Sequence, residues 1–188
     1  MAMTLDGTSG ITQMTGSIVM SGSTSGTTTI IPSAVAGTTT VTMPAATGTM
    51  MVSGNMPAFS AYQSSAQTLS SGTFTKVQFQ TEEFDTNNNF DSTTNYRFTP
   101  TVAGYYQING GVGVGATPTQ VVALIYKNGS SYKGGANIPS CYNTSVSSIV
   151  YLNGSTDYVE LYCYFGSGQA MSATMSATYF NGAMVRSA

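Results

Sequence analysis

The stretch Val159-Glu160-Leu161-Tyr162-Cys163-Tyr164-Phe165 alternates without a break. Val159, Leu161, Cys163 and Phe165 fall on one side of an extended chain, and Tyr158, Glu160, Tyr162 and Tyr164 fall on the other. A period of two suits a strand and excludes a helix, so the first set is expected to face a core. The same period recurs where Val77 and Phe79 oppose Lys76, Gln78 and Gln80, and where Tyr106 and Ile108 oppose Tyr105, Gln107 and Asn109. Asn128-Gly129 and Asn153-Gly154 supply the positive φ angles of tight turns, which predicts a hairpin after residues 121–126 and another after residues 149–152. No helical period occurs anywhere. Regular short strands divided by turn signals predict an all-β fold, a sandwich or jelly roll.

Charge sets the second constraint. Only 6% of the 188 residues are charged, and none lies between Asp6 and Lys76. Within that neutral span Gly26-Thr27-Thr28-Thr29-Ile30-Ile31 returns 11 positions later as Gly37-Thr38-Thr39-Thr40-Val41-Thr42, and Gly16-Ser17-Ile18-Val19-Met20 is a looser relative. Each unit is a glycine turn, a β-branched strand and a break at Pro32 or Pro44. Strands this short bury too little area to offset the ordering entropy of their backbone. Residues 1–56 are therefore expected either to be disordered or to complete their sheets with identical chains, and residues 57–188 to form the jelly roll.

Between these strands residues 85–94 pack Asn87, Asn88, Asn89, Asp91, Ser92, Thr93 and Thr94 together, side chains that bond nearby backbone and favour turns. Phe90, Asp91, Arg97, Phe98, Pro100, Gly104, Tyr105 and Tyr106 follow in order. With Pro57-Ala58-Phe59-Ser60-Ala61, Lys127-Asn128-Gly129, residues 152–159 and Phe180-Asn181-Gly182-Ala183-Met184, this series resembles the trimeric jelly rolls of the complement globular head, relatives of tumour necrosis factor. The resemblance implies threefold assembly, which favours an intertwined trimeric β stalk for the leading segment. It also implies a subunit interface, for which Tyr106, Tyr158, Tyr162 and Tyr164 are the candidates. Tyrosine suits that role because it joins large apolar area to a polar tip. The Gly-Thr-Thr-Thr repeats are similar in style to the N-terminal stalks of bacteriophage fibre and capsid-decoration proteins.

Several kinds of chemistry are excluded by composition. Histidine is absent, which removes Ser-His-Asp and Cys-His catalysis and imidazole metal sites. Glu82, Glu83, Asp85 and Asp91 form the main acidic cluster; their oxygens suit calcium but follow no calcium-loop spacing, and no other cofactor is expected. Two acids without tryptophans to stack a sugar give no glycosidase site, so no enzyme is expected. The net charge of −2 and the lack of any Lys or Arg run argue against nucleic acid. Residues 1–6 carry no positive n-region and no apolar run reaches a membrane span, so neither secretion nor membrane insertion is expected. Cys141 and Cys163 could pair, but the strand pattern around Cys163 favours free thiols.

Together these features predict a homotrimeric virion protein made in the host cytoplasm, either a capsid decoration or head fibre, or a short neck or tail fibre. Leu5, Ile11, Ile18 and Val19 are the candidate docking residues on capsid, neck or tail proteins. Asn87, Asn88, Asn89, Tyr142 and Asn143 are the candidate contacts to a host-surface glycan or protein. The alternative is a soluble lectin-like trimeric module of the complement type. It calls for a signal peptide or a collagen-like stalk, and neither is visible in the sequence.

Overall fold

The structure, a computed structural model, describes residues 18–31, 40–42, 45 and 50–188. The chain divides into two units, Met1–Thr47 and Gly48–Ala188. In the first, β1 (Ile18–Ser21) and β2 (Thr27–Ile30) form an antiparallel hairpin with Ile18 opposite Ile30 and Ser21 opposite Thr27. The Gly22 N–H donates to the Gly26 carbonyl at 2.9 Å, and Gly26 takes φ +75°, closing the turn. All eight strand residues are exposed. Residues 37–39, which begin the second Gly-Thr-Thr-Thr copy, lie outside the described residues, as do Leu5 and Ile11.

In the second unit the strands are β3 (Ala58–Tyr62), β4 (Thr68–Leu69), β5 (Thr75–Lys76), β6 (Thr81–Asp85), β7 (Phe90–Asp91) and β8 (Arg97–Phe98). They continue with β9 (Gly104–Gly113), β10 (Val121–Lys127), β11 (Ser130–Gly134), β12 (Asn143–Leu152), β13 (Val159–Phe165), β14 (Gln169–Ala170) and β15 (Tyr179–Ser187). Among the described residues the one helical element is a 3₁₀ turn at Ser53–Asn55. The back sheet runs β12-β9-β15-β3-β6, the front sheet β11-β10-β13-β8-β7 with β5 also on β13, and every pairing is antiparallel. The two sheets close over one core, and the all-β jelly-roll expectation is met.

Alternation explains the core. Val159, Leu161, Cys163 and Phe165 are fully buried, as are Val77 and Phe79. Phe59 stacks on Phe98 with ring centroids 4.3 Å apart and on Phe90 at 5.0 Å, with Phe180 meeting it edge-on at 5.2 Å. In β9 the side chain is dispensed with at Gly110, because a Cβ there would stand 2.3 Å from a Leu161 methyl. The missing side chain lets Leu161 of the front sheet pack directly on the back-sheet backbone.

The two Asn-Gly pairs behave differently. Asn128 (φ 52°) and Gly129 (φ 77°) form the predicted two-residue hairpin between β10 and β11, with Lys127 opposite Ser130. The hairpin expected at Asn153-Gly154 does not form, since β12 pairs with β9 and β13 with β10, in different sheets. There the Asn153 side chain accepts the N–H groups of Ser155, Thr156 and Asp157 at 3.0, 3.0 and 2.9 Å, so the turn carries the chain across the sandwich instead of back along it.

Candidate functional site

The asparagine-rich loop is built by its own acids. Asp85 accepts the Asn87 N–H at 3.3 Å and the Phe90 N–H at 2.6 Å. Asp91 accepts the N–H groups of Thr93, Thr94 and Asn95 and the Asn95 side-chain amide, at 3.0, 2.9, 3.1 and 2.7 Å. Those donors, the Thr94 amide foremost, hold the Asp91 carboxyl well below the usual carboxylate range. Asn89 is only 8% exposed: its amide donates to the Asn87 carbonyl and accepts from the Thr101 N–H, while its own carbonyl accepts from Thr99. Asn89 thus shapes the loop from inside and does not serve as the outer contact expected of it. Asn88 is exposed, and Asn87 is half-buried with its amide donating to the Gly54 carbonyl at 3.2 Å.

This loop walls a cleft of about 570 Å³ whose lining includes Glu82, Asn88, Ser92, Arg97 and Thr99. The Arg97 guanidinium lies 4.2 Å over the Tyr158 ring and has no ion-pair partner among the described residues. The acids expected to share a calcium ion do not converge. Asp85 and Asp91 are taken up by backbone amides, and Glu83 accepts from the Ser60 hydroxyl at 2.6 Å on the other side of the β3–β6 edge. Among the described residues no three His, Cys, Asp or Glu side chains stand close enough to hold a metal.

The tyrosine row on the outer face of the front sheet is half-buried, and each ring meets a partner in its own chain. Tyr162 stacks on Tyr126 at 3.8 Å, Tyr164 tilts against Phe74 at 5.1 Å, and Tyr158 carries Arg97. Burial and the nearby Glu160 charge raise the Tyr162 pKa, and Glu160 itself is buried in an ion pair with Lys76. Tyr106 corrects the expectation set for it. Its side chain is fully buried, edge-on to Phe98, with its hydroxyl donating to the Val102 carbonyl at 2.6 Å, so it belongs to the core and has no surface to offer a neighbour.

A different surface emerges on the outer face of the back sheet, which sequence reasoning passed over. Side by side across β12, β9, β15 and β3 stand Ser147, Asn109, Asn181 and Ser60. Asn109 donates to Asn181 at 3.0 Å, and Ser147 donates to Asn109 at 2.8 Å. Ser60 of this ladder donates to Glu83, and around the ladder Ile149, Tyr151, Tyr105 and Phe84 are exposed, at 56%, 41%, 42% and 51%. The signal was present as the alternation Ser145, Ser147, Ile149, Tyr151 in β12, which carries no charge on its outward side.

The two expected contact loops lie at opposite ends of this sheet. Register places Asp85 level with Phe59, Gly182, Ile108 and Ser148, whereas Asn143 is five residues further along β12, about 17 Å at the ordinary strand rise. Tyr142 is 56% exposed at that far end, and Pro57 enters at the near end. Ile18 and Val19 are exposed in β1. Cys141 and Cys163 are both free, and burial pushes the Cys163 thiol up to about 12, which leaves it inert as a nucleophile.

Neither a protein-family model nor a curated protein matches the sequence. Solved structures do. Murine APRIL at pH 8.0 superposes with a TM-score of 0.56 at 8% identity, covering 69% of this chain and 99% of that one. The TNF protein Eiger from S. frugiperda gives 0.54 at 6% identity, covering 71% and 93%. The fold is the tumour necrosis factor jelly roll. At such identities the likeness is one of fold alone. In the terms of that fold, the asparagine-rich loop and its cleft sit at the end where the chain enters, and Tyr142 sits at the opposite end.

Proposed function

We propose that the protein is a homotrimeric, non-enzymatic structural protein of a bacteriophage particle, a capsid decoration or head fibre or a short neck or tail fibre. It is made in the host cytoplasm and carried on the virion. The observation that supports the assembly is the outer face of the back sheet, where Ile149, Tyr151, Tyr105 and Phe84 are exposed around the hydrogen-bonded ladder of Ser147, Asn109 and Asn181. A surface of this composition is costly to leave in water and is the kind that identical subunits cover by threefold assembly. The hairpin of β1 and β2 supports the same reading, since it buries none of its residues and a two-stranded hairpin is marginal alone. In the assembled protein three such segments complete one another as a stalk, with Leu5, Ile11, Ile18 and Val19 meeting the particle. The loop of Tyr142 and Asn143, remote from the chain's entry, is the surface offered to a host glycan or protein.

Light scattering on the full chain is expected to give three times 19.5 kDa. Mass spectrometry of purified particles is expected to find the chain in many copies if it decorates the capsid and in a handful if it belongs to a neck or tail. A monomer in dilute solution sinks the assembly, and absence from particles sinks the virion role.

A further inference from the structure

The cleft beside Arg97 sorts its lining groups into two kinds. One kind builds the walls: Asp91, Asn89 and Asn95 use their polar atoms on backbone amides and carbonyls of the loop. The other kind is unengaged. Glu82, Asn88, Ser92, Arg97 and Thr99 line the cleft without a side-chain hydrogen bond or ion pair among the described residues. Rigid walls carrying unengaged donors and acceptors are the arrangement of a preorganised polar site, in which little ordering cost is left for binding.

The chemistry of the five free groups narrows the ligand. Glu82 and Asp91 outnumber Arg97, so the cleft does not favour an anion. No three acidic side chains meet in it among the described residues, so a metal ion is not the favoured ligand. The apolar residue in the lining, Phe90, is 6% exposed, so a peptide side chain finds no apolar slot. What remains is a neutral ligand rich in hydroxyls, since a carboxylate, an amide and a guanidinium each pair with two neighbouring hydroxyls at once. The geometry points to a calcium-independent saccharide subsite in this cleft, with Arg97, Glu82 and Asn88 contacting one pyranose and Tyr158 holding the Arg97 plane in place. The inference goes beyond the reading above, whose host-contact surface is the loop of Tyr142 and Asn143 at the opposite end of the sheet, and it rests on the cleft alone. Without an exposed aromatic platform each site is weak, on the order of 1 mM, and three copies on one trimer raise the affinity for a clustered glycan.

The test is saturation-transfer NMR on the full chain with methyl mannoside, methyl galactoside and N-acetylglucosamine, each in EDTA and in calcium. At least one sugar is expected to give transfer in EDTA, reduced fivefold or more in Arg97→Gln and in Thr99→Val. In the wild-type protein, backbone amide shifts confined to residues 82–101 provide a readout that does not depend on a variant folding. No transfer from any of the three sugars, transfer only in calcium, or shifts elsewhere on the jelly roll overturns the subsite. Transfer to a neutral tripeptide that Arg97→Gln abolishes, with none to sugars, overturns it in favour of a peptide. Light scattering on the same samples separates the two readings: a monomer that binds sugar loses the trimer and keeps the subsite, and a trimer that binds none does the reverse.

Discussion

Asp91 shows how much of the loop depends on one side chain. Its two oxygens gather three backbone N–H groups and one amide, and the depressed pKa records that the charged form makes those bonds best. An acid whose folded pKa is depressed contributes stability that is fully present above its unfolded value, near 4, and is lost as pH falls toward the folded value. Asp91→Asn is therefore expected to lower the melting temperature at pH 7, at a cost of about 1–3 kcal/mol for hydrogen bonds to a charged group. The gap between variant and wild type should narrow as pH drops below 4, and melting curves across that range check it; a gap independent of pH would mean that charge is not what holds the loop. Tyr106 makes the complementary point about a neutral group. Removing its buried hydroxyl in Tyr106→Phe leaves the Val102 carbonyl without that partner, so denaturant titration should show a loss of about 1 kcal/mol. Light scattering should show the assembly unchanged, because the ring lies wholly inside one subunit.

At the level of strands, β9 and β13 decide how closely the sheets meet. Gly110 faces Leu161 across the core at a distance that no Cβ tolerates, so Gly110→Ala should cost about 1–3 kcal/mol by overpacking, and Leu161→Ala about 2–5 kcal/mol by cavity formation. The double variant should cost less than the sum, because the new methyl enters the space the leucine leaves. Additive losses in urea unfolding would show that the two residues do not meet. Part of this was legible in the sequence: alternation named the inward residues of β13, and Asn128-Gly129 named the β10–β11 hairpin. Asn153-Gly154 was not legible as a sheet-to-sheet crossing, because the same dipeptide serves either use and the choice rests on which distant strand β13 pairs with. Tyr106 misled for a related reason. Alternation placed it beside Ile108, but in a chain this poor in charge a core face and an assembly face carry the same kinds of residues. The cleft was legible only in part: Asn88 and Asp91 stood out as turn formers, while Glu82, Arg97 and Thr99 reach it from flanking segments that local pattern does not connect.

For the molecule as a whole, the proposed trimer poses the question of which of two tyrosine-bearing faces its subunits would cover. The front sheet's tyrosines already have partners: Tyr162 lies on Tyr126, Tyr164 meets Phe74, and Tyr158 carries Arg97. The back sheet's Ile149 is 56% exposed, next to a ladder in which Gln107, Ser147, Asn109 and Asn181 hydrogen-bond one another. Covering the back face removes exposed apolar area and leaves the Lys76–Glu160 pair untouched, whereas covering the front face would bury the edge of that pair. Ile149→Asp would place an unpaired carboxylate in each of three contacts, at about 3–5 kcal/mol apiece, enough to dissociate an ordinary trimer. Tyr162→Asp should leave the trimer intact and lower only the stability of the fold, through the lost stack and a second acid beside Glu160. Light scattering on both variants, with circular dichroism to show that each is folded, decides between the faces. If Tyr162→Asp gives folded monomers while Ile149→Asp stays a trimer, the subunits meet through the front sheet, and the ladder of Asn109 and Asn181 faces solvent.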